Sequence, residues 1–204
     1  MLSRKYRLIL IAGAVLACGI NSVLRAQVSA DGEFVALFDG KTLDGWQKVG
    51  DAQWQVVDGT ILTAGDKPGF LMTTREFADF ELRVEYRAPA ATNSGIFLRT
   101  ALRPTDPTKD CYELNIAPAE NPFPTGSLVG KKKVVLAVDR FPAANQWHSL
   151  DVKADGGKFK IRLGGSLVLE YEDPEPIRRG QIGLQANSGE VAFRNIRIRE
   201  LRDE

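Results

Sequence analysis

Apolar and polar residues alternate along much of the chain after residue 33. In DFELRVEYRA, Phe80, Leu82, Val84 and Tyr86 are separated from one another by charged residues. The same rhythm recurs in WHSLDVKA and in FKIRL. Because successive side chains of a strand point to opposite faces, this period predicts strands with one face in a core and the other in water.

Turn residues separate the alternating segments. Asp58-Gly59 lies between QWQVV and TIL, and Gly164-Gly165 lies between FKIRL and SLVLEY. Two-residue loops of this kind favour the primed turns that join antiparallel strands. No segment after the start of the chain has a convincing helical period. The pattern therefore predicts an all-β protein, an antiparallel β-sandwich of the jelly-roll type.

The start of the chain predicts export. Basic residues precede the apolar run Leu8–Ile20, which is shorter than the ~20 residues that a membrane-spanning helix needs. We expect a signal peptide at residues 1–26, cut after Ala26, and one domain at 27–204 that is periplasmic or secreted. Alternatively, the sequence VLAC resembles a bacterial lipoprotein box, in which Cys18 would carry a lipid and anchor the domain.

The net charge and the scarcity of histidine and cysteine exclude several classes of function. Four of the 27 basic residues lie in the signal peptide, which leaves 23 against 26 acidic residues and gives no support to nucleic-acid binding. His148 is the only histidine, so a hydrolase triad or a histidine-based metal centre is not expected, and His148 itself is interpreted as structural. Cys111 is interpreted as a small, partly buried thiol. The spaced acids of a standard two-carboxylate glycosidase are absent, whereas a calcium or magnesium site is left open.

Polar residues recur on one face of three strands that otherwise look buried. These strands are NSGIFLR, CYELNI and QIGLQ, and the Pro-rich segments Arg103–Asp110 and Ala117–Gly126 flank the second as a predicted rim. Such a face suits a hydroxyl-rich ligand, but plain amphipathic alternation explains it as well. The polar face would carry Asn93, Gly95, Phe97 and Arg99, then Cys111, Glu113 and Asn115, and finally Gln181, Gly183 and Gln185.

Five segments in this order resemble the 3-keto-disaccharide hydrolase family, long known as domain of unknown function 1080. They are LFDGKTLDGW, DFELRVEYR, NSGIFLR, YELNI and GQIGLQ…VAFRNIRIREL, which together extend from Leu37 to Leu201. The resemblance implies a concanavalin A-like jelly roll that acts on disaccharides or glycosides oxidised to a ketone at C3. That ketone acidifies the proton on C2, so a base can remove it, the group on C1 can leave, and water can add.

The resemblance also implies roles for particular residues. Glu113 would be the catalytic base or acid, and Arg99 would stabilise negative charge or hold sugar hydroxyls. Asn115 and Gln185 would orient the sugar, and Lys131 would reach in from a loop. Trp46 would be either a stacking platform for a sugar or a structural residue.

Two departures from the family pattern leave a second function open. Many members have Gln at the position of Asn115, and a His-Gly pair is common where this chain has Ala186, Asn187, Ser188 and Gly189. The alternatives are therefore an enzyme acting on 3-keto sugars, a non-catalytic carbohydrate-binding module that uses the same face, and a structural domain at the cell surface.

Overall fold

The computed structural model describes residues 32–65, 67–106 and 108–201, so the predicted signal peptide and Cys18 lie outside it. The described residues form strands and one short 3-10 helix, Val138–Arg140. The first strands are β1 Val35–Ala36, β2 Trp46–Gly50, β3 Gln55–Val57, β4 Thr60–Thr63, β5 Gly69–Phe77, β6 Phe80–Arg87 and β7 Asn93–Thr100. The remaining strands are β8 Tyr112–Ile116, β9 His148–Asp155, β10 Lys158–Leu163, β11 Ser166–Glu172, β12 Gly180–Ser188 and β13 Val191–Glu200.

These strands form two antiparallel sheets, which confirms the predicted β-sandwich. The eight-stranded sheet has the order β11-β10-β9-β6-β13-β4-β3, with β1 paired to β13. The five-stranded sheet has the order β2-β5-β12-β7-β8. No helix among the described residues has the length and apolar character needed to cross a membrane.

The predicted two-residue turns occur as expected. Asp58 and Gly59 have φ values of 47° and 74°, and they join β3 to β4. Gly164 and Gly165 have φ values of 56° and 80°, and they join β10 to β11. Positive φ at both central residues is the requirement of a type I′ turn, whose twist matches that of the flanking strands.

The hydrophobic core lies between the two sheets. The rings of Tyr112 in β8 and Phe159 in β10 meet with their centroids 4.2 Å apart, and both side chains are buried. The apolar sides of β6 and β9 contribute Leu82 and Val152 to the same core. Because these residues point inward, their neighbours along each strand point outward, and the polar strand faces predicted above lie on the outside of the sandwich.

Candidate functional site

The register of the five-stranded sheet brings the predicted polar residues together. Cross-strand partners form two neighbouring rows on one face, with Glu113 ending the first and Asn115 ending the second. The first row consists of Gln47, Met72, Gly183, Phe97 and Glu113. The second consists of Val49, Phe70, Gln185, Gly95 and Asn115. Tyr112 and Leu114 point into the core, so this face is turned away from the other sheet.

Glu113 is a buried carboxyl group in a gap left by a glycine. Its side chain leans toward Gly95, where a Cβ atom would lie only 3.3 Å from Glu113 Oε1. Beyond that gap, Gln185 donates a hydrogen bond to the carboxylate. Only 7% of the residue is exposed, and burial raises the pKa of Glu113 to about 7 despite this hydrogen bond. The carboxyl group can therefore take up or release a proton near neutral pH.

Unpartnered amide oxygens occur in the same sheet as this carboxyl group. The side-chain oxygens of Asn115, Gln181 and Gln185 are buried and accept no hydrogen bond from any described residue. Asn115 Nδ2 donates to the carbonyl of Phe123, so the loop 117–126 meets the face as the predicted rim. Buried acceptors without donors are costly, and the hydroxyl groups of a sugar are suitable donors.

An apolar wall borders the polar groups, and the sequence analysis did not assign it to the site. The rings of Phe70 and Phe97 meet edge to face, with centroids 4.9 Å apart. They belong to β5 and β7, on either side of Gly183, where a Cβ atom would clash with Met72. The alternation of GFLM places Phe70 and Met72 on one face, but only the strand order places that face beside Glu113.

The predicted position of Arg99 on the Glu113 face is wrong. Between Phe97 and Thr100, β7 has one residue more than the facing part of β12, which is a β-bulge. Arg99 lies in this bulge with a φ of 49°, the left-handed region that a non-glycine residue seldom adopts. Thr100 consequently pairs with Gln181, and Arg99 leaves the alternation of the strand.

The guanidinium group of Arg99 is fully buried and donates four hydrogen bonds. It donates to the carbonyls of Ala78 at 2.7 Å, Gly156 at 2.6 Å and Ile177 at 2.9 Å. It also pairs with Asp79 Oδ1 at 2.6 Å. Arg99 therefore links three loop segments through hydrogen bonds. Its guanidinium group is directed away from the outer face, so it is not placed to bind a sugar there.

Lys131 and Trp46 also lie apart from Glu113. Lys131 Nζ is 3.5 Å from Asp173 Oδ2 and 5.7 Å from the ring centroid of Tyr112, which places it on the opposite side of β8. Trp46 is buried in the core, and its Nε1 donates to the carbonyl of Leu37 at 2.7 Å. Of the two roles considered for Trp46, the structure therefore supports the structural one.

The remaining residues named in the sequence analysis, His148, Cys111 and Asn187, show no sign of a catalytic role. His148 Nε2 donates to the carbonyl of Ala143 at 2.7 Å, and Cys111 is buried with its pKa raised to about 12, mainly by burial. Asn187 is exposed near the end of β12, in the segment that departs from the family pattern. Among the described residues, no group of three or more His, Cys, Asp or Glu side chains could hold a metal ion.

The fold and this face define an antiparallel β-sandwich protein with a buried, titratable carboxyl group on one outer sheet face. A family model described as the 3-keto-alpha-glucoside-1,2-lyase-like domain matches residues 33–199, and the chain belongs to that family. A 3-keto-disaccharide hydrolase of Bacteroides thetaiotaomicron is 25% identical over 238 residues, which cover 87% of this chain and 81% of the relative.

Solved structures show the same fold. A putative glycosyl hydrolase from Parabacteroides distasonis superposes with a TM-score of 0.73 at 20% identity, covering 88% of this chain and 99% of the other. The carbohydrate-binding module CBM66 from Bacillus subtilis gives a TM-score of 0.58 at 20% identity, covering 76% of this chain and 96% of the module. The expected jelly-roll fold is confirmed by these likenesses.

Proposed function

We propose that this protein cleaves 3-keto-disaccharides or 3-keto-glycosides, with Glu113 as the general base. The observation that carries the proposal is the buried carboxyl group of Glu113, with a pKa of about 7, on a sheet face that also presents unpartnered amide oxygens. Family membership supports the substrate class. Export from the cytoplasm, predicted from the start of the chain, is part of the same proposal.

The reaction begins with removal of a proton. Ionised Glu113 takes the proton from C2 of the oxidised sugar, and the electron pair moves into the C3 ketone to give an enolate. The enolate then re-forms the ketone while the bond from C1 to the glycosidic oxygen breaks, leaving a double bond between C1 and C2. The leaving oxygen takes the proton back from Glu113. Water then adds, with its hydroxyl on C1 and a proton on C2.

Substrate binding uses the groups that surround Glu113. Sugar hydroxyls donate to the side-chain oxygens of Asn115, Gln181 and Gln185, which have no donor among the described residues. The half-buried ring of Phe70, which packs edge to face on the buried ring of Phe97, provides an apolar surface for the carbon-bound hydrogens of a sugar. Because Arg99 and Lys131 are engaged elsewhere, they have no role in this scheme.

A non-catalytic carbohydrate-binding module is the second candidate. It is favoured by a specific observation, since neither predicted cation faces Glu113 to stabilise an enolate. The segment Ala186–Gly189, which replaces the His-Gly pair common in the family, supports it too. Both candidates use the same face, so sugar binding alone does not distinguish them.

Turnover distinguishes the two candidates. The purified protein is incubated with 3-keto-trehalose or 3-keto-sucrose and with the unoxidised parent sugars, and release of monosaccharide is followed. We expect release from the oxidised sugars only, loss of release in Glu113→Gln, and full activity in Glu172→Gln, which removes an exposed carboxyl group on β11. Binding without release in the unaltered protein would reject the enzyme in favour of the module.

A further inference from the structure

Gln185 and Glu113 approach each other across the strand that lies between them. Gln185 of β12 is the cross-strand partner of Gly95 in β7, which in turn is the partner of Asn115 in β8. Glu113 lies on the same face of β8 as Asn115 and leans over Gly95, where a Cβ atom would lie 3.3 Å from both Cγ and Oε1 of the glutamate. The missing side chain of Gly95 is therefore the gap through which the carboxyl group reaches Gln185.

The two ends of the side-chain amide of Gln185 differ in their hydrogen bonding. The NH2 group donates to the carboxylate of Glu113. The oxygen is buried and accepts no hydrogen bond from any described residue. The residue as a whole is only half-buried, so its side chain borders the surface of the site. A buried acceptor without a donor is costly, and a ligand that donates to it removes that cost.

Among the described residues, the other unpartnered amides of this face are not linked to the carboxyl group. Asn115 uses Nδ2 to donate to the carbonyl of Phe123 in the rim. Gln181 lies four positions before Gln185 on β12, which is about 13 Å by the rise of a strand. The side-chain hydrogen bond that Glu113 accepts comes from Gln185. Gln185 is thus the amide whose unpartnered oxygen has a fixed position relative to the proposed base.

The geometry of an amide determines which part of a sugar can reach that oxygen. The oxygen and nitrogen of an amide lie about 2.2 Å apart, from the bond lengths of the group, and each hydrogen bond spans about 2.9 Å. A hydroxyl that donates to Gln185 Oε1 can therefore lie roughly 3–4 Å from the carboxylate of Glu113. A base that removes the C2 proton lies about 3–3.5 Å from C2, so the hydroxyl on C2 itself is at the required distance. The remaining hydroxyls of the sugar are separated from C2 by the ketone or by the ring.

We propose that Gln185 recognises the 2-hydroxyl group of the oxidised sugar and thereby directs the C2 proton toward Glu113. This inference rests on the proposed function, because it names the group of a 3-keto-glycoside that the same site requires. The hydroxyl donates to Gln185 Oε1 while the NH2 group of the same amide continues to donate to the carboxylate. One planar side chain then fixes the base and the substrate relative to each other. Gln185 itself transfers no proton.

A substrate without the 2-hydroxyl group tests this role. A nitrophenyl 3-keto-glucoside and its 2-deoxy analogue are compared by release of nitrophenol, and each kcat/KM is divided by the rate of uncatalysed elimination of that substrate. The unaltered protein should prefer the parent substrate at least about tenfold, because the analogue leaves a buried acceptor without a donor. In Gln185→Met the preference should fall close to one, since Met has nearly the length of Gln but lacks the amide.

The pH profile gives a second readout, and another glutamine gives the control. A hydrogen bond to the carboxylate lowers the pKa of Glu113, so its loss in Gln185→Met should move the rising limb of kcat/KM to higher pH. Cys111, on the same face of β8, stays neutral in that range because its pKa is raised to about 12, mainly by burial. Gln181→Met is the matched control, since it removes another amide with an unpartnered oxygen from the same strand. It should change kcat/KM equally for both substrates and leave the limb in place.

Three results would overturn the inference. They are no preference in the unaltered protein, an undiminished preference in Gln185→Met, and a preference that is lost in Gln181→Met as well. If the unaltered protein releases no nitrophenol from either substrate, the proposed enzyme fails instead. The ratio of the calorimetric affinities for the same two ligands then decides the inference by the same comparison of variants, and an absence of binding rejects it. Thermal unfolding of each variant confirms that it is folded.

Discussion

Replacing Glu113 by Gln measures what it costs the protein to bury this carboxyl group. Burial raises the pKa of Glu113 from 4.5 to about 7, so the folded state favours the protonated form. The folded state therefore holds more protons than the unfolded state at intermediate pH, and stability falls as pH rises between the two pKa values. Below the unfolded pKa the carboxyl group is protonated in both states and costs nothing through ionisation.

The size of this destabilisation follows from the pKa shift of Glu113. Each pKa unit corresponds to about 1.36 kcal/mol, so an ionised Glu113 destabilises the folded state by roughly 3 kcal/mol at about pH 8 and by less than about 1 kcal/mol at about pH 5. Gln has nearly the same shape and does not titrate. The gain in unfolding free energy from Glu113→Gln should thus be about 2.5 kcal/mol larger at the higher pH.

Urea unfolding of both proteins at the two pH values provides the measurement. Glu172→Gln is the control, since Glu172 is exposed on β11 and its removal should leave the pH dependence unchanged. If the unfolding free energies of Glu113→Gln and the unaltered protein changed with pH in parallel, the reasoning would be refuted. Glu113 would then ionise equally easily in the folded and the unfolded state. This test needs no substrate, so it stands apart from the proposed reaction.

Three further outcomes follow from the site. For cleavage of a 3-keto sugar, kcat/KM should rise with pH and level off above about 7, because Glu113 must be ionised to act as a base; a flat profile would exclude it. Gly95→Ala should lower kcat/KM about tenfold or more, since its Cβ atom would lie 3.3 Å from Glu113 Oε1, and unchanged kinetics would show that the gap is unimportant. Arg99→Lys should lower the unfolding free energy by about 3 kcal/mol, because Lys cannot satisfy all four part-buried acceptors of this fully buried side chain, including Asp79; a loss well under about 1 kcal/mol in urea unfolding would contradict the structural role of Arg99.

Alternation along the strand explains why the outward placement of Glu113, though not its role, could be predicted from the sequence. Alternation along CYELNI separates Glu113 and Asn115 from the core-facing Tyr112. The same rule applied to QIGLQ places Gln185 on one face of β12. The sheet order then aligns these faces through Gly95, and that order is a property of the whole fold.

The error at Arg99 shows where alternation fails. A strand keeps a period of two only while its ladder is regular, and the bulge in β7 adds one residue between Phe97 and Thr100. Nothing in NSGIFLR marks the bulge, because the left-handed residue is Arg rather than Gly or Asn. The surrounding carbonyls and Asp79 hold Arg99 in that conformation, and they come from distant parts of the chain.

The sequence by itself determined the strands, their inward faces and the tight turns, because each depends on residues that are neighbours along the chain. Asp58-Gly59 and the alternation of Phe80–Arg87 are local properties of this kind. The tertiary structure alone decided which faces adjoin, how deeply Glu113 is buried, and where the side chain of Arg99 points. Those properties depend on strand order, bulges and desolvation, which arise only when distant segments pack together.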